Sequence, residues 1–68
     1  MNYADLKWSI IQEWNSDAKF TNEYLIEMGA EAGVEIKNVR ADRKSIVATI
    51  ADGVISAGVE SGEYEVDS

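Results

Sequence analysis

Carboxylates are the side chains of this chain most able to do chemistry. Glu23, Glu27 and Glu31 recur at i, i+4 spacing, and Glu60, Glu63, Glu65 and Asp67 crowd the C-terminal end. Carboxylates can act as general acid and base, ligate hard cations, or present fixed negative charge to a basic partner. Two carboxylates alone can run glycoside hydrolysis, but that reaction needs a deep cleft. A chain of 68 residues cannot wrap one around a sugar. Calcium binding calls for oxygens clustered in a loop, and no EF-hand pattern occurs. Histidine and cysteine are absent, which excludes His-based triads, cysteine nucleophiles and imidazole or thiolate metal sites. The glycines at 29, 33, 53, 58 and 62 match no phosphate-cradling loop. The expectation is a non-enzyme with no catalytic residue, no cofactor and no metal. Charge presentation is what remains.

The charge is sorted along the chain. Residues 1–36 carry net −5, residues 37–44 carry net +3 and residues 45–68 carry net −5, which gives the total of −7. An ordinary solvated helix face alternates Glu with Lys. Here like charges stack, each i, i+4 pair destabilising the helix by about 0.2–0.5 kcal/mol. The candidate partner-binding residues are therefore Glu23, Glu27 and Glu31, with Glu63, Glu65 and Asp67 of the C-terminal end. Trp8 joins them as an aromatic anchor off the apolar stripe of its helix, near Gln12 and Asn15. The basic stretch offers a weaker anion-binding candidate in Arg40, Arg43 and Lys44. No interleaved aromatic supports nucleic-acid binding there.

Two helices must position the first of these groups. Tyr3, Leu6, Ile10 and Trp14 recur at spacings of three and four, predicting a helix over residues 3–14 with Asn2 as its N-cap. A second helix is predicted over 21–32, with Tyr24, Leu25, Met28 and Ala32 inward, Thr21 or Asn22 as cap and Gly33 as the stop.

Beyond Val34 the pattern reads as strands. With Asp52-Gly53 as a two-residue hairpin turn, Ile50 pairs with Ile55, Ala48 with Ala57 and Ile46 with Val59, all on one face. A second turn at Ser61-Gly62 places Tyr64 and Val66 on that same face, and a one-residue slip would invert every side chain. The expected strands are 34–38, 46–51, 54–60 and 63–66. The basic stretch then forms a hairpin loop, and the C-terminal acids line an exposed edge strand whose charges block edge-to-edge aggregation. The expected fold class is α+β: two N-terminal helices on one face of a small antiparallel sheet of three to four strands, in a single domain. The alternative is an all-α three-helix domain, since Ile46, Ile50, Val54 and Ala57 also fit helical spacing. Gly53 mid-helix and the Val, Ile and Thr content weigh against it.

Size and composition bound the function. The acidic balance disfavours direct nucleic-acid binding and docking on anionic membranes. No signal sequence and no apolar span of about 20 residues is visible, so a cytoplasmic protein is expected. No motif names a family. In size and composition alone the chain is similar to small acidic accessory or inhibitor proteins, many of them phage-encoded. That analogy implies a protein-binding module in a host cytoplasm that occupies a basic or nucleic-acid-binding surface of a larger protein. A second expectation is a structural or assembly subunit that self-associates as a homo-oligomer, of which a homodimer is one form, and a weaker one is an anion or nucleotide binder through the basic stretch.

Overall fold

The computed structural model describes residues 2–38 and 40–66. Its element order is α1 (Tyr3–Ser16), α2 (Asn22–Glu31) and α3 (Arg43–Ser61). At the start of α1 the Asp5 amide donates to Asn2 Oδ1 at 2.8 Å, satisfying one of the free N–H groups of the first turn. Thr21 does the same for α2, its Oγ1 accepting from the Tyr24 amide at 3.2 Å. α2 closes in a Schellman motif: Gly33, at φ +86°, donates to the Ala30 carbonyl at 3.1 Å, and Val34 donates to the Gly29 carbonyl at 2.8 Å.

The expected α+β class is overturned, and the alternative all-α class holds. Among the described residues there is no strand or sheet. Residues 46–51 and 54–60 lie within one helix, α3, and Asp52-Gly53 is helical rather than a hairpin turn. Ser61 is the last residue of α3, and Gly62, at φ +85°, is its left-handed C-cap. Residues 34–38 belong to the connection between α2 and α3, and residues 63–66 to a tail that folds back on α3. The physical reason lies in which neighbours are buried together. Ile46 with Val47 and Ile50 with Ala51 are all buried. A strand must send adjacent side chains to opposite faces, whereas a helix packed on two flanks buries both. Val47 and Ala51, which strand alternation would turn to the face opposite Ile46 and Ile50, are 2 % and 0 % exposed.

α3 is the central element. Its outer stripe is Ser45, Thr49, Ser56 and Glu60, with half-buried Asp52 between. α1 runs antiparallel to it: the Trp14 carbonyl meets Arg43 at the start of α3, and Lys7 pairs with Asp52 midway. α2 runs in the same direction as α3, with Asn22 at Arg43 and Gly29 against Ile50. The connection 32–42 must therefore travel back along the molecule before α3 begins, and Ile36 and Ala41 pack against the core on the way. At the corner between α1 and α2, Phe20 sits 6.2 Å from the Trp14 ring and edge-on to Tyr24 at 5.3 Å. No helix among the described residues is long and apolar enough to cross a membrane.

Candidate functional site

The burial pattern of α2 decides where its acids point. Leu25 and Gly29 are buried against α3, so Glu23, Glu27 and Glu31 fall on an exposed edge. Glu23, in the first turn, suits the helix dipole, and Glu31, in the last, opposes it. Tyr24, Glu27, Met28 and Glu31 border a shallow depression of about 240 Å³. Met28 and Glu31 also border a second one, of about 400 Å³, whose other walls are Ala32, Val54, Ala57, Gly58, Ser61 and Glu63. The first lies on α2 alone, and the second is the groove between the C-terminal ends of α2 and α3.

Glu63 reaches this groove because the chain reverses after α3. Gly62 takes the left-handed conformation and donates to the Val59 carbonyl at 3.2 Å, and the Tyr64 amide then donates to the Gly58 carbonyl at 3.0 Å. The Tyr64 ring lies over Gly58, where a Cβ would overlap its edge. Glu63 thus leaves the expected edge strand and lines the same depression as Glu31. Glu65 is exposed further along the tail, and Asp67 lies outside the described residues.

Trp8 is 61 % exposed on α1 and borders a separate depression with Ile11, Gln12, Asn15 and Ser16. It shares no lining residue with the acidic groove.

The basic stretch is not a hairpin loop. Lys37 and Arg40 lie in the α2–α3 connection, and Arg43 and Lys44 form the first turn of α3. Arg40 and Lys44 are exposed. Arg43 turns inward, its Nε donating to Asn15 Oδ1 at 3.1 Å, Nη1 to Asn22 Oδ1 at 3.0 Å and Nη2 to the Trp14 carbonyl at 3.2 Å. One guanidinium therefore joins the end of α1, the start of α2 and the start of α3. Sequence reasoning missed this role, because Asn15 and Asn22 lie 28 and 21 positions from Arg43 and no local pattern links them to it.

Among the described residues the ion pair is Lys7 Nζ to Asp52 Oδ1 at 3.0 Å, with both side chains partly exposed. Among the described residues no polar or charged residue is buried and no three acids gather in a metal-binding set. Glu27, Glu31 and Glu63 are exposed, placed to attract cations and to accept hydrogen bonds from outside the chain. Comparison with protein-family models, with curated proteins and with solved structures finds no match for this chain.

Proposed function

We propose that this chain is a non-enzymatic, cytoplasmic protein-binding module whose acidic face engages a basic surface of a larger protein. The observation that carries the reading is that Glu27, Glu31 and Glu63 line two neighbouring depressions with no lysine or arginine among the lining residues of either. Uncompensated charge of one sign raises the association rate with an oppositely charged partner and excludes partners of like charge. In its sharpest form the partner is a nucleic-acid-handling protein, inhibited because the module occupies its nucleic-acid site. A salt titration of the complex tests the reading: affinity falls as ionic strength rises. Affinity unchanged between low and high salt would overturn it.

A second reading rests on a different surface. Trp8, exposed beside Ile11 on α1, supplies the aromatic anchor for self-association as a homodimer. Sedimentation over a wide concentration range decides it, and a monomer throughout eliminates it.

A further inference from the structure

We infer that the groove between α2 and α3 seats an amphipathic basic helix of the partner, with an aliphatic side chain on the floor and a lysine or arginine toward each bank. The inference rests on the acidic-module reading and adds the shape and chemistry of what is bound. The floor is Met28, Val54 and Ala57, and the banks carry Glu31 from α2 and Glu63 from the tail. A valley between two helices running in the same direction accepts the ridge of a third helix.

Charge complementarity names the occupant. Lys7 is paired with Asp52, Arg43 is engaged by Asn15, Asn22 and the Trp14 carbonyl, and no base lines the groove. Glu31 and Glu63 therefore face the groove with no base of its lining beside them, and a lysine or arginine on a bound segment meets them unopposed. A purely polycationic segment would meet the banks and leave the floor in water. A segment with both characters satisfies both, and its apolar contribution resists salt where the ionic one does not. The tail brings Glu63 to the site, because the Tyr64 ring lies over Gly58 and the Tyr64 amide donates to the Gly58 carbonyl.

The test uses the full chain and three labelled peptides of about 15 residues, long enough for four helical turns. The first has leucines along one helical face and lysines elsewhere, the second has the same composition with the leucines spread around the helix, and the third is oligolysine. The amphipathic peptide should bind about tenfold tighter than the permuted one. Glu31→Gln, Glu63→Gln and Ala57→Gln should each weaken it several-fold, while Glu13→Gln on α1 leaves it unchanged. Gly58→Ala, which displaces Tyr64 without altering charge, should weaken it as Glu63→Gln does while circular dichroism reports an intact helical fold.

Equal binding of all three peptides, indifferent to Ala57→Gln, overturns the groove and leaves the acidic-module reading standing. Failure of every peptide to bind at low salt overturns both. A concentration-dependent dimer abolished by Ala57→Gln assigns the groove to a second copy of the chain and overturns the basic-helix occupant.

Discussion

Val34 and Gly53 interlock. The Cγ2 methyl of Val34, just past the Schellman turn of α2, occupies the space where a side chain at position 53 of α3 would begin. A glycine in mid-helix costs about 1 kcal/mol relative to alanine, and here it admits the residue that closes α2 onto α3. Gly53→Ala gains that propensity but drives a Cβ into Val34, and overpacking of this kind costs about 1–3 kcal/mol. The expected outcome is a net loss of stability in urea denaturation. Val34→Ala added to Gly53→Ala should recover part of it, because the methyl in conflict is gone. A double mutant no more stable than Gly53→Ala would remove the interlock as the cause.

The same pair shows what was legible in the sequence. α1 and α2 each bury one flank, so a single 3.6-residue stripe marks them, and the caps Asn2, Thr21 and Gly33 mark their ends. α3 is flanked on both sides and has no single stripe. Its apolar pairs, Ile46-Val47, Ile50-Ala51 and Val54-Ile55, recur every four residues and leave only a narrow polar strip. Sampled at every second position, such a helix imitates a strand, and Gly53 then imitates a turn. The acidic face of α2 was legible for the same reason as its apolar face. The placing of Glu31 and Glu63 on one depression was not, because it depends on a chain reversal at Gly62 and a tyrosine seated on Gly58.

Arg43 should matter more for stability than its place in a basic stretch suggests. Its three hydrogen bonds join all three helices at one end of the molecule. Hydrogen bonds from charged groups contribute about 1.5–3 kcal/mol, and the partly exposed setting places Arg43→Ala near the lower end of that range. Arg43→Lys should not rescue it, since one ammonium cannot reproduce a fork that reaches three acceptors. Denaturant midpoints of the two variants check this. A lysine variant as stable as the native chain would reduce the clamp to a simple charge effect.

The two tryptophans should separate packing from surface. Trp14 is 5 % exposed and contacts Phe20 at the α1–α2 corner. Trp14→Ala should therefore cost about 3–5 kcal/mol, enough to unfold much of a chain this small. Trp8→Ala, at an exposed position, should change stability by no more than about 0.5 kcal/mol. Thermal denaturation with tryptophan fluorescence distinguishes the two sites. In the homodimer reading Trp8→Ala also alters sedimentation at high concentration, an effect that stability alone would not produce.

Reversing the middle charge of the α2 ladder should set stability against binding. Glu27 is four residues from both Glu23 and Glu31, so Glu27→Lys replaces two repulsive pairs with two attractive ones. At about 0.2–0.5 kcal/mol for each repulsion removed and each attraction gained, the helix should be stabilised by about 1 kcal/mol at low salt. That gain should shrink as salt rises, because every group involved is exposed. The same change places a cation on the rim of the depression bordered by Tyr24, Met28 and Glu31 and should weaken capture of a basic partner. Melting temperature and peptide affinity, measured on one variant at two ionic strengths, read both effects. A variant that melts higher and binds a basic peptide as well as the native chain would make the ladder a solvated surface with no part in recognition. Higher stability with weaker binding is the outcome expected of carboxylates kept in place for a partner.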